Sequence, residues 1–156
     1  MKRYIFFLLV PFLFLSGCAG KTGESYVGAL PDAPAVSRIA EDAVSRLADF
    51  YPPGHTSLQL MAPAQGDAFS ADFERGLRAK GFTLSPTGTV KVSWVLDELK
   101  SEQSWYLRLR IKDGAVTRTL SRAYNVQGTP SAGFAYETTG IKPQGPPLAG
   151  SAGTRE

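Results

Sequence analysis

The chain is poor in the residues from which most catalytic and metal sites are built. Its 156 residues include one cysteine, Cys18, and one histidine, His55. A lone cysteine closes no internal disulfide, so stability has to come from a packed core or from partners. One histidine and one thiol leave the usual zinc ligand sets incomplete. His55 follows Pro52-Pro53-Gly54 and reads as a solvated loop residue. The glycines gather toward the ends instead of forming a phosphate-cradling loop, and no serine stands in a nucleophile-elbow pattern. Asp97, Glu98 and Glu102 cluster, but among Lys100, Ser101 and Gln103, which marks a solvated loop and not a buried acid–base pair. Basic clustering of the kind that tracks a nucleic acid is also missing. Composition thus offers no catalytic residue, metal ligand, cofactor, nucleic-acid surface or small-molecule substrate, and a non-enzymatic role is expected.

What is present begins with the leader. Lys2 and Arg3 are followed by a run, Tyr4 to Leu15, interrupted only by Pro11. A spanning helix needs about 20 apolar residues, so the run fits the h-region of a secretory signal instead. It ends at Leu15-Ser16-Gly17-Cys18, which matches the lipobox of bacterial lipoproteins. On this reading residues 1–17 are a removed signal peptide. Cleavage falls between Gly17 and Cys18, and Cys18 carries S-diacylglyceryl and N-acyl groups. One acyl chain binds a bilayer marginally, whereas two or three make attachment effectively permanent. Ala19 follows the anchor, and resemblance to enterobacterial sorting then favours the periplasmic face of the outer membrane over the inner membrane. The leader also explains the charge. The whole chain has 17 Lys+Arg against 14 Asp+Glu, and losing Lys2 and Arg3 almost balances it.

Residues 18–35, rich in Gly, Ala, Pro and Ser, read as a flexible tether, and 36–127 as one folded domain. Ser37 is placed to cap a helix ending at Pro52-Pro53, with Ile39, Ala43, Val44, Leu47 and Phe50 on one face. Thr56–Met61 alternates as a strand. Asp67 is placed to cap a second helix carrying Phe69, Phe73 and Leu77, closed by a left-handed Gly81 with Phe82 folded back on Leu77. Strands follow at Phe82–Ser85, Val90–Leu99, Trp105–Lys112 and Ala115–Val126, the last pair joined at Asp113-Gly114. Val116, Leu120, Tyr124 and Val126 are taken as inward. The order α-β-α-β-β-β-β predicts an α+β two-layer sandwich. Two helices cover one face of a mixed or antiparallel sheet of four to five strands. The opposite face then holds Arg108, Arg110, Lys112, Arg118 and Arg122, either as an ordinary solvated face or as a patch for an acidic partner or anionic headgroups. Trp94 and Trp105 read as core, with Trp105 a second candidate for an interface anchor. Residues 128–156 have few apolar anchors and read as a disordered tail. Its Phe134 and Tyr136 alternate as in a segment able to add a strand to a partner's sheet.

Several pieces, in order, resemble the conjugal transfer protein TrbH family of lipoproteins. They are the lipobox ending at Cys18; the helix from Glu41-Asp42-Ala43-Val44 through Leu47 into Tyr51-Pro52-Pro53; the strand Thr56–Leu60; Asp67-Ala68-Phe69; and Leu77-Arg78-Ala79-Lys80-Gly81-Phe82. The resemblance covers the signal to about Val126. It implies a lipid-anchored component of a Trb-type conjugative type IV secretion system, acting in mating-pair formation with protein partners in the conjugation channel. Cys18 is the one position to which it assigns a role. A general outer-membrane lipoprotein assisting envelope or barrel assembly is the alternative. Cys18→Ser is expected to leave an uncleaved precursor in the inner membrane on fractionation and immunoblotting. Normal processing and sorting of that variant would overturn the lipidation reading.

Overall fold

The computed structural model describes residues 25–140. The leader, Cys18 and the outer parts of the expected tether (18–24) and tail (141–156) lie outside the described residues. The elements are β1 (Tyr26–Val27), α1 (Ala33–Phe50), a 3-10 turn (Pro53–His55), β2 (Ser57–Leu60), α2 (Ala68–Lys80), β3 (Thr83–Leu84), β4 (Val90–Leu99), β5 (Ser104–Asp113), β6 (Val116–Tyr124) and β7 (Ala135–Thr139). The fold is α+β. The sheet runs β3-β2-β4-β5-β6-β7, with β1 also paired to β4. Strand β2 is parallel to β3 and β4, β1 is parallel to β4, and the meander from β4 to β7 is antiparallel.

Helix α1 starts earlier than its periodicity suggests. Asp32, not Ser37, is the N-cap, and its side chain accepts from the Ala35 N–H at 2.9 Å. Pro34 lies in the first turn, where a missing amide donor costs nothing. Ser37 lies inside the helix and donates to Asp72 of α2. The buried stripe is Val36, Ile39, Ala40, Ala43, Val44 and Leu47, while Phe50 turns off it and stays 41% exposed. Helix α2 follows its expected punctuation closely. The Asp67 side chain accepts from the Ser70 N–H at 2.8 Å. At the other end Gly81 has φ +97, its N–H donates to Arg78 O, and the Phe82 N–H donates to Leu77 O. That is the Schellman closure. Gly76, midway along α2, lets the helices approach: a Cβ there would lie 3.0 Å from Val44 Cγ2.

The core lies between the helices and one sheet face. Phe69 and Phe73 of α2 stack at 5.6 Å, and both meet the Trp94 ring edge-on, at 6.3 and 5.4 Å. Leu96, Leu107, Leu109, Ile111 and Leu120 complete this face. Trp105 is 9% exposed and donates its indole N–H to Ala29 O at 2.9 Å, so it is a core residue and not an interface anchor.

The sheet has seven strands where four to five were expected. The additions are β1 and β7, inside the stretches assigned to tether and tail. Ser25 is already in the sheet: its N–H donates to Met61 O and its hydroxyl accepts from the Trp94 N–H. The organised region therefore starts before residue 36 and continues past 127. The two-residue β1 has no alternation to announce it, and the Phe134/Tyr136 alternation marks a strand that pairs with the chain's own β6 and not with a partner's sheet. Three smaller expectations also shift. Asp97 and Glu98 belong to β4 and not to the loop. The β5–β6 turn is Gly114–Ala115, since Asp113 pairs with Val116. Val126 is 40% exposed, because the chain leaves the sheet after Tyr124. Leu77, fully buried, ties α2 to the core. Leu77→Ala should cost about 2–5 kcal/mol. Thermal unfolding checks this, and an unchanged Tm would mean that α2 does not pack as described.

Candidate functional site

The residues singled out by chemistry do not converge. His55 is exposed in the 3-10 turn. Asp97 and Glu98, adjacent on a strand, point to opposite sheet faces, and Glu102 is exposed at the hairpin tip beyond β4. Among the described residues, no group of three His, Cys, Asp or Glu is placed to hold a metal. No helix of the described residues is long and apolar enough to cross a membrane.

The most organised polar cluster is one that sequence reasoning misplaced. Arg118 and Arg122 do not share the outer face with Arg108, Arg110 and Lys112; they point toward the helices. The register pairs Arg122 with Leu107 and Arg118 with Ile111, both core residues. The signal was available: strict alternation from inward Leu120 and Tyr124 places 118 and 122 inward too. Arg122 Nη1 donates to both Asp42 carboxylate oxygens at 2.9 Å, and its Nε donates to Ala132 O at 2.7 Å. The Tyr124 hydroxyl donates to Asp42 Oδ2 at 2.7 Å. Phe134 lies under two guanidiniums, with Arg122 at 4.5 Å and Arg46 at 5.3 Å from its ring centre. Arg118 donates to the Tyr51 hydroxyl at 2.6 Å. Planar forks suit such bidentate and stacked contacts. The cluster fastens α1 to β6 and draws in the chain leading to β7. Its contacts run between α1, β6 and the segment before β7, so the cluster acts as a clamp between them.

Among the described residues two surfaces remain open. The outer sheet face is not covered by the helices and holds a concavity of about 610 Å³. Across it run Tyr26, Val95, Arg108, Ser121 and Ala135 in one row, and Ser93, Arg110, Thr119 and Glu137 in the next. Lys91 and Lys112 stand directly opposite each other. The second surface is a groove of about 210 Å³ between the end of α1 and β7, lined by Phe50, Leu120, Phe134 and Tyr136 with Arg46 and Asp49. Phe50 and Tyr136 meet there at 6.1 Å. Phe134 and Tyr136 thus flank and form a strand of the protein's own sheet, and among the described residues it is the outer edge of β7 that is left unpaired.

Burial raises the Tyr124 hydroxyl far above the usual tyrosine value, and the hydrogen bond to Asp42 and its charge push the same way, against Arg122. Burial also raises Tyr51, with Arg118 opposing. A raised folded-state value means that the folded chain keeps a proton the unfolded chain releases above about pH 10. Stability is therefore fully present below that pH and falls as pH rises past it. Urea unfolding from about pH 8 to about pH 11 should show this decline. Tyr124→Phe should flatten it while costing about 1.5–3 kcal/mol at neutral pH for the lost bond to a charged group. An equal slope in both proteins would remove Tyr124 as the cause.

No curated protein and no solved structure matches the chain. The family model for the conjugal transfer protein TrbH matches residues 21–147, a span that takes in every element described above. The chain therefore belongs to the TrbH family of conjugal transfer proteins.

Proposed function

We propose that this TrbH protein is a lipid-anchored, non-enzymatic structural and assembly component of the mating-pair formation apparatus of a conjugative type IV secretion system. Cys18 is its attachment point, on the periplasmic face of the outer membrane. The observation that carries the reading is the family match over residues 21–147, which makes the chain a component of conjugal transfer. The charge, run length and tetrapeptide of the leader supply the anchor, and Ala19 supplies the sorting preference. The non-enzymatic part rests on the scattered placement of His55, Asp97, Glu98 and Glu102 and on the clamp that consumes Asp42, Arg122 and Tyr124. The β7 edge, unpaired on its outer side among the described residues, is a surface such a component offers to neighbouring proteins of the channel.

Deleting the gene should sharply lower plasmid transfer in mating assays without changing growth, and supplying the wild-type gene in trans should restore it. Unchanged transfer together with a damaged envelope would favour the general role in envelope or barrel assembly instead.

A further inference from the structure

We propose that the outer sheet face rests on anionic phospholipid headgroups beside the anchor. This rests on the reading of Cys18 as the acylated residue. The first argument is distance. Ser25 is 7% exposed and fixed in the sheet by its bonds to Met61 and Trp94. The seven peptide steps from Cys18 to Ser25 span at most about 25 Å, however they are arranged. From the β1 position to β7 there are four strand spacings, about 19 Å. The anchor therefore keeps Ser25 within about 25 Å of the headgroups, close enough for the sheet to reach them. At that reach one face of the domain can rest on the headgroups.

Charge selects which. The outer face carries Lys91, Arg108, Arg110 and Lys112 against Asp97 and Glu137. Among the described residues none of these four cations makes an ion pair. Lys91 and Lys112 are directly cross-strand, an arrangement that repels unless an anion covers it. The helix layer offers no such excess, since Arg46, Arg75 and Arg78 are already paired with Asp49, Asp72 and Glu74. Clustered cations near a membrane surface are drawn to anionic headgroups. Tyr26, 54% exposed and one residue from the end of the connecting segment, lies on this face, as does Tyr106. Tyrosines of this kind present an apolar body and a polar tip at a headgroup boundary.

Because Cys18 is the only cysteine, a second one can be labelled selectively in the full mature lipoprotein. A fluorophore is placed at Ser121→Cys on the outer face or at Glu41→Cys on exposed α1. The protein is reconstituted into phosphatidylethanolamine–phosphatidylglycerol vesicles containing a lipid with a nitroxide headgroup. The expected result is severalfold stronger quenching at 121 than at 41. That difference should collapse in phosphatidylcholine vesicles, at high salt, and in Arg108→Gln/Arg110→Gln protein whose Tm is unchanged. Co-flotation with equal quenching at the two positions overturns the proposal and leaves the face to an acidic protein. Unequal quenching that ignores headgroup charge overturns it as well. Failure to float with the vesicles overturns the anchor itself, and the proximity argument with it.

Discussion

Strand β4 is hydrogen-bonded along both edges and packed against both phenylalanines of α2, and the other elements take their positions from it. On one side β5 pairs with all ten of its residues. On the other, β2 occupies Val90 to Val92 and β1 occupies Val95 and Leu96, both parallel to it. Ser25 fills the gap between them, joining Met61 to Trp94. Trp94, at the middle of the strand, is 1% exposed and receives Phe69 and Phe73 edge-on. Edge-to-face contact suits the quadrupoles of these rings. The two-residue β1 persists because it completes an edge already made.

The second constraint is ionic. Asp42 collects Arg122 and Tyr124, Arg122 reaches Ala132, and Phe134 stacks beneath Arg122 and Arg46. One carboxylate on α1 thus fixes the helix over β6 and leads the chain into β7. Removing charges from water is costly, and the cost is offset here because the guanidinium fork meets two carboxylate oxygens and a carbonyl at once. Arg38 adds a bond to Gln127 O nearby. The segment beyond Tyr124 is organised by these polar contacts and one aromatic ring, not by an apolar stripe.

These two arrangements leave a layered body with unequal sides. On the helix layer Arg46, Arg75 and Arg78 are paired with Asp49, Asp72 and Glu74 of the same helices. The sheet's far side keeps its cations together, and among the described residues the β7 edge keeps backbone groups unpaired beside the Phe50–Tyr136 groove. For a conjugal transfer protein such a body offers contacts in two directions. Membership of the TrbH family supplies the biological setting, and the geometry supplies the surfaces.

Much of the fold is legible in local patterns. The i, i+4 series Phe69, Phe73, Leu77 with Asp67 and Gly81 marks α2 at both ends, and the alternation through Val92, Trp94 and Leu96 marks β4. The order of motifs also carried the family, which the match over residues 21–147 supports. These features are set by neighbours within one or two turns, so periodicity displays them. The lipobox is equally local, though Cys18 lies outside the described residues. Tertiary structure alone decided that Ser25 and Tyr26 join the sheet, that Ala135–Thr139 pairs with β6, and that Arg118 and Arg122, inward by alternation, find Tyr51 and Asp42. Ser25 depends on Trp94, 69 positions away, and Arg122 on Asp42, 80 positions away. A short polar segment carries no periodic mark of its own. Its structure comes from the edge or carboxylate that folding brings beside it.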